Sequence, residues 1–478
     1  MSLKQKAISG VKWTTLSTVV TTILQLLQLA ILTRFLDPSA FGLMSLVMVV
    51  IGFSQAFLDM GISNAIIHKQ EITKDQLSTL YWVNVLAGVI LFGIISILAP
   101  FMAEFYKEPE LTELILVVAL TFVIQPFGQQ FMILWQKDMR FREIAKIDIV
   151  NKSISLVVSV YLAYKGYGVY ALVYGTLAGV VSQTVQYLYT GLREYRPSFV
   201  FNIKEIKEFL SFGVYQMGEK TINFFNREVD TLLIGKLLGV EALGIYTIAK
   251  QLAMKPIEII GPIITKVTFP TMAKVQYDNS RLKYIYLKTI NYLSSVTFPI
   301  YAFLIIMAPE LILILFGEQW KESIPILQIL SIYGLIRSTG SPVGSLVLSK
   351  GKANWAFWWN FGLFFYVPIG IYISSQWGLT GISWGLVIVQ FSLIVPNWYL
   401  LVRSLCKAKF IEYHLEILIP FSIVFISTVV TYFLTNSFEN IFAKFFMVGA
   451  IGLFLVILLN VIFNKKFVIE LKGFKNVK

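Results

Sequence analysis

Five polar residues interrupt one long apolar run of this chain: Gln216, Lys220, Asn223, Arg227 and Asp230. Alternating steps of four and three put them on one face of a helix. A charge at the centre of a membrane-length helix costs about 2.5–3.5 kcal/mol on insertion scales, so it normally faces a partner or a water-filled cavity. Two cations in line with two amides could hold a phosphate or a carboxylate. Asp230 and the adjacent Glu228 could exchange a proton or a sodium ion. A plainer reading stands beside this one. Lys220 lies near enough to one end of the run to snorkel, and Arg227 could pair with Glu228.

The theme recurs downstream. Thr247, Gln251, Lys255 and Glu258 share a helix face, with Lys250 beside it. Arg337 sits among Ser331, Ser338, Thr339 and Ser341, next to Gly340 and Pro342. That pattern predicts a broken helix lining a cavity. Asp148 and Lys152 have the spacing of a helical ion pair and read as structural. The candidate cargo-binding residues are therefore Arg227, Lys220, Lys250, Lys255, Arg337, Asn223, Gln216, Gln25 and Gln28. The candidate ion-coupling residues are Glu228, Asp230 and Glu258. No cofactor is expected beyond a coupling proton or sodium ion. Trp355, Trp358, Trp359, Tyr366 and Trp384 could stack on sugars, although such aromatics mostly belong to interfacial belts.

The elements that position these residues follow from composition. Of the 478 residues 56% are hydrophobic and only 14% charged, with mean hydropathy +0.72. Soluble domains carry about 25% charged residues. Apolar runs of about 20 residues, enough to cross a hydrocarbon core, recur along the chain. The predicted class is an all-α integral membrane protein of about fourteen transmembrane helices. The spans cover roughly 11–33, 40–60, 78–103, 112–135, 145–164, 168–191, 208–234, 242–270, 287–315, 323–348, 354–375, 379–402, 415–435 and 442–463. A closed barrel is excluded, because its strands would be shorter and alternating.

Loop charges test the count. With the N-terminus inside, 27 of the 40 Lys and Arg fall in inner segments, six in outer loops and seven within spans. That bias follows the positive-inside rule and predicts that both termini are cytoplasmic. It also accounts for the net charge of +13 without nucleic acid. Six of the seven cations within spans lie between residues 206 and 404, Lys152 being the exception. A lumen so charged suits an anionic cargo, such as a diphosphate or an acidic sugar.

Two stretches look like copies. Arg34 to Met44 aligns with Lys236 to Tyr246 at an offset of 202 residues, with Arg34/Lys236, Ala40/Ala242 and Gly42/Gly244 in register. Six spans separate the copies, so both cross in the same direction. This is a parallel repeat, the plan of a two-lobed transporter. The offset carries the charged stripe back onto Thr14, Thr18, Thr21, Gln25 and Gln28. The expected organisation is an N-terminal lobe at 1–195 (spans 1–6), a C-terminal lobe at 206–404 (spans 7–12), an extra helix pair at 414–464 and a basic tail at 465–478.

Other chemistries find no support. A single cysteine, Cys406, excludes an intramolecular disulfide, and two distant histidines, His68 and His414, do not suggest zinc. No Gly-rich loop ends in Gly-Lys-Ser/Thr. The sequon at Asn151 lies within a span. The basic start runs into a retained first span, not a cleaved signal peptide.

Several motifs carry a family resemblance. Leu32 to Gly42 resembles the first-loop signature of bacterial polysaccharide transporters, Wzx-like members of the multidrug/oligosaccharidyl-lipid/polysaccharide (MOP) flippase superfamily. Asp230 to Tyr246 resembles the matching segment of their second lobe. Phe316-Gly-Glu-Gln-Trp320, Ile324-Pro-Ile-Leu-Gln328 and Gly351-Lys352 also fit. The resemblance implies two six-helix lobes around a cavity of alternating access. The implied cargo is an undecaprenyl-diphosphate-linked oligosaccharide moved from the inner to the outer leaflet, beside a polysaccharide polymerase. In similar lipid II flippases an added helix pair forms a groove for the lipid tail, and spans 13–14 would do likewise. The alternatives are a multidrug exporter of the same superfamily, which would favour acidic cavity residues, and a membrane glycosyltransferase or polymerase, which would need a larger outer loop. A channel is disfavoured by the repeat.

Overall fold

Helices follow wherever apolar runs are bounded by capping residues. The computed structural model describes residues 3–59, 66–67, 72–202, 207–435, 437–438, 440–464 and 467; among them, the side chains of 3–4, 6–8, 56–59, 207–220 and 441–442 are not described. The first helices are α1 (Leu3–Leu32), α2 (Pro38–Asp59), α3 (Lys74–Tyr106), α4 (Glu110–Ile124), α5 (Pro126–Lys137), α6 (Phe141–Tyr164) and α7 (Tyr170–Glu194). Then come α8 (Lys207–Lys274), α9 (Asn279–Ile306), α10 (Ala308–Leu315), α11 (Ser323–Ser349), α12 (Ala353–Ser374), α13 (Gly378–Ser392), α14 (Phe410–Thr435) and α15 (Ile441–Phe463).

Nine segments among the described residues are long and apolar enough to cross a membrane, or ten with one bent pair. Two of the nine, Thr221–Lys274 and Ala353–Cys406, run 54 residues each. About 20 residues suffice for one crossing, so each holds two. The Ser-, Thr- and Gln-bearing helices α7 and α11 complete the expected fourteen. Span 4 differs from the sequence expectation of one straight helix. It is α4 and α5, bent by 50° at Gln125, where Pro126 starts the second helix. The expected break in span 10 is also absent: α11 runs unbroken through Gly340 and Pro342. Ser338 and Thr339 donate to the carbonyls of Leu335 and Ile336, each three residues back, within the same turns.

Turn chemistry sets the ends. Thr73 and Gln76 form a reciprocal capping box that starts α3. Asp37 Oδ1 accepts from the Ala40 amide at 3.0 Å at the start of α2. Its counterpart at the 202-residue offset is Gly239, whose φ of 86° breaks α8 into the expected spans 7 and 8. One copy turns with a carboxylate cap and the other with a residue free to be left-handed.

The chain divides into two compact units, Met1–Gly244 and Ile245–Lys478. In the first, α6 packs on α1 and α7, while α4 packs on α2, α3 and α7. In the second, α9 packs on α11, α14 and α15, and α13 packs on α11 and α12. The packing boundary falls 40 residues beyond the connector at which the repeat divides the chain; one division follows contacts, the other duplication. Small residues let helix pairs close up in both units. A Cβ on Gly175 would meet Ser159 Oγ at 1.7 Å, and one on Gly385 would meet Ser374 Oγ at 2.2 Å.

The connector after α7 is fastened to the start of α3. Ser78 Oγ lies 2.6 Å from the Tyr195 hydroxyl and 3.0 Å from Ser198 Oγ. Trp82 Nε1 donates to the Ser198 carbonyl at 3.0 Å and its ring stacks on Phe199 at 4.7 Å. Thr79 Oγ1 donates to the Val200 carbonyl and accepts from the Asn202 amide. The expected pair at 414–464 is α14 and α15. Lys444 Nζ bridges to the buried Glu310 at 2.5 Å, and Asn464 Nδ2 donates to Ser295 Oγ at 3.0 Å, tying α15 to α10 and α9. Apart from residue 467, the expected basic tail at 465–478 lies outside the described residues.

Candidate functional site

In the first unit the charged stripe lies on α8 ahead of Gly239. Gln216 and Lys220 fall on helical backbone, with their side chains outside the described residues. Asn223 and Arg227 are exposed one turn apart, Glu228 is half-buried and Asp230 is buried. The face therefore opens at Asn223 and Arg227 and closes at Asp230. Arg227 Nε pairs with Glu228 Oε1 at 3.0 Å, with the guanidinium 5.5 Å from the Phe224 ring centre. The arginine side chain is 63% exposed and the glutamate 22%. Thr231 joins the acids: its amide donates to Asp230 Oδ1 at 2.8 Å and its hydroxyl to Glu228 Oε2 at 3.4 Å. Phe224 anchors the helix against α2, where a Cβ on Gly52 would meet its ring at 2.7 Å.

The matching stripe on α1 is occupied locally. Thr18 and Thr21 donate to the carbonyls of Thr14 and Ser17 in their own helix. Gln28 Nε2 donates to Ser159 Oγ at 2.9 Å, which joins α1 to α6. Gln25 is half-buried.

In the second unit Lys250, Lys255 and Glu258 lie on α8 and Arg337 on α11. Lys255 Nζ and Glu258 Oε2 are 2.9 Å apart; the carboxylate side chain is 59% exposed and the lysine 22%. Lys250 Nζ stands 5.9 Å from the Tyr246 ring centre. Arg337 donates to the Tyr333 hydroxyl one turn earlier, with its guanidinium 5.5 Å from that ring. Tyr301 of α9 is fully buried over Gly334, whose Cβ would meet its ring at 2.6 Å. Arg337 thus pairs with Tyr333 one turn away on α11, three residues past the glycine that seats Tyr301.

Those tyrosines were absent from the sequence expectation. Tyr333 carried a usable signal, the four-residue step to Arg337 that makes them helix neighbours. Tyr301 carried none, since one tyrosine in an apolar run reads as packing. Among the described residues, no three His, Cys, Asp or Glu side chains group so as to hold a metal ion.

Similar proteins support the architecture. The profile of a family described as "Polysaccharide biosynthesis protein" matches residues 31–325. The chain is 35% identical over 384 residues to the teichuronic acid biosynthesis protein TuaB of Bacillus subtilis, covering 79% of this chain and 78% of that one. It is 30% identical over 433 residues to the lipopolysaccharide biosynthesis protein WzxC of Escherichia coli, covering 90% and 88%. Among solved structures, the lipid II flippase MurJ in an inward closed conformation superposes with a TM-score of 0.76 at 14% identity, over 95% of this chain and 99% of that chain. An inward-facing multidrug resistance MATE transporter of the MOP superfamily gives 0.61 at 17% identity, over 81% and 96%. At such identities these two structures speak for the fold alone.

Proposed function

The chain belongs to the polysaccharide biosynthesis protein family, and on that premise we propose that it flips an undecaprenyl-diphosphate-linked oligosaccharide from the inner to the outer leaflet. The observation that carries this reading is the set of cations on a transporter fold. Arg227 is exposed within a membrane-spanning helix, and Arg337 is held by Tyr333. Guanidinium groups bind diphosphate or acidic sugar through paired, charge-assisted hydrogen bonds. Arg227, Arg337, Lys250, Lys255 and Lys220 hold the anionic head in water. Asn223, Gln216, Gln25 and Gln28 offer amides to the sugars. The lipid tail stays in the bilayer, along α14 and α15.

The lobes at 1–195 and 206–404 rock to reverse the opening. Glu228, Asp230 or Glu258 takes and releases a proton or sodium ion to drive the cycle. The loop-charge bias supports an orientation with both termini in the cytoplasm, and the family relation supports a bacterial inner membrane. A polysaccharide polymerase on the outer side is the expected consumer of the cargo.

The test is made in cells lacking the chain and any redundant flippase. Undecaprenyl-linked intermediates are extracted and weighed while surface polysaccharide is quantified. Accumulation of a diphosphate-linked oligosaccharide, with polymer lost from the surface, supports the reading and gives the cargo's mass. Normal intermediates and normal polymer overturn it. Gained sensitivity to cationic drugs in the same cells would instead favour an exporter.

A further inference from the structure

The twelfth span, in the second unit, carries one turn that is not α-helical. Trp398–Val402 opens into a π turn, in which the Arg403 amide donates to the Trp398 carbonyl five residues back. Single π turns inside helices are frequent at functional sites. From this turn onward, Leu401, Val402 and Leu405 share one apolar core with Val343, Leu346 and Val347 of α11. Just before it the seam changes character. Asn397 faces Gly340, where a Cβ would stand 3.8 Å from Asn397 Nδ2. Asn397 Oδ1 is buried and has no hydrogen-bond partner among the described residues.

The facing side of α11 is polar and small. Ser331, Ser338, Thr339 and Ser349 donate to carbonyls of their own helix, while Ser323 and Ser345 bond to Ile245 and Thr268 of α8. Ser341 is the hydroxyl of α11 that makes no such bond among the described residues; its Oγ lies 3.6 Å from where a Cβ on Gly261 of α8 would stand. Arg337, Gly340, Ser341 and Gly344 follow at steps of three and four, on one face of the helix. Positions so spaced are about 5–6 Å apart. A Cβ on Gly344 would meet no atom within 4 Å. Guanidinium, hydroxyl and amide thus surround two glycines at the spacing of one sugar unit.

The amide discriminates between anions. An ionised diphosphate offers acceptors alone, which suit Arg337 and leave Asn397 Oδ1 without a donor. A sugar brings hydroxyls that both donate and accept, and a carboxylate on the same ring takes a guanidinium through paired hydrogen bonds. We infer that Arg337, Ser341 and Asn397 form a subsite for a carboxylate-bearing sugar of the cargo, with the carboxylate on Arg337 and ring hydroxyls on Asn397 and Ser341. The inference rests on the transport reading above and narrows it to an acidic oligosaccharide.

The test uses the full chain purified in detergent, with Cys406→Ser removing the native thiol and Gly344→Cys reporting from the edge of the subsite. D-Glucuronate, D-glucose and inorganic diphosphate are each titrated against the rate of maleimide labelling. Glucuronate is expected to slow labelling at concentrations where glucose and diphosphate do not, and Asn397→Leu is expected to raise the concentration required tenfold or more. Asn397→Leu should leave the unfolding midpoint unchanged or raise it, because it removes a buried oxygen that lacks a partner. A clearly lowered midpoint assigns Asn397 to packing and overturns the subsite. Equal protection by glucose, protection by diphosphate instead, or protection by none of the three also overturns it. Those results leave the flippase reading standing wherever cells lacking the chain still accumulate the lipid-linked intermediate. Asn397-dependent protection by glucuronate, in a protein whose loss leaves intermediates and polymer normal, keeps the subsite and removes the cargo reading.

Discussion

Thr18 and Thr21 of α1 turn their hydroxyls onto carbonyls of their own helix, whereas Arg227, one repeat later, extends an exposed guanidinium from α8. Gln25 stands where the second copy has Arg227, and Gln28 where it has Asp230. Gln28 is engaged with Ser159, while Asp230 is tied to Thr231 beside Glu228. Duplication kept the helix face and changed its charge. On the proposed reading, the work is divided between copies: the second offers charge to the anion, and the first offers amides and completes the wall.

The most severe way to break that division is to discharge the second copy. Arg227→Ala with Arg337→Ala removes two sets of charged hydrogen bonds worth about 1.5–3 kcal/mol each. Delivery of lipid-linked oligosaccharide, measured as surface polymer against accumulated intermediate, should fall about a hundredfold or more; normal delivery by the double variant would end the cationic-site model. Swapping the stripe sharpens the comparison. Gln25→Arg in an Arg227→Gln background should recover about tenfold of the loss if the pathway needs a cation on this face, and nothing if the second copy alone can present it.

A smaller effect is expected from Glu258→Gln. Its partner Lys255 keeps its charge, so the rate at saturating ion should change by less than about threefold, in keeping with the small worth of exposed pairs. The dependence of that rate on external proton or sodium concentration should flatten, and an unaltered ion dependence would remove Glu258 from the coupling set. The smallest effect belongs to the neutral stripe. Gln28→Leu loses one interhelical hydrogen bond worth about 0.6 kcal/mol and one amide offered to the sugar, seen as a slightly lowered unfolding midpoint in detergent and a drop in transport smaller than that of Glu258→Gln.

Much of this architecture is written in the chain, because hydrocarbon allows few backbone solutions. Apolar runs and loop charges locate the spans, and the register of Gly42 with Gly244 exposes the duplication. Kinks are less legible. Pro126 bends its span by 50°, yet Pro342 sits within a continuous helix. In the site, charge marks Arg227 and Arg337 from sequence alone. Tyr301 and Tyr333 stay hidden because their roles depend on which helix lies opposite.

The clasp of Ser78, Thr79 and Trp82 on Tyr195 to Asn202 bears on how the protein is made. An N-terminal half emerges first from the ribosome, and domains generally fold as units in that order. By holding the chain to Asn202, the clasp lets the first six spans mature with their exit strand already anchored, instead of trailing a loose tether. The second copy then enters the bilayer from a fixed departure point, which narrows the wrong partners its helices can meet. Lengthening the chain between Tyr195 and Asn202 should thus reduce assembly yield more than the same insertion at an unanchored loop.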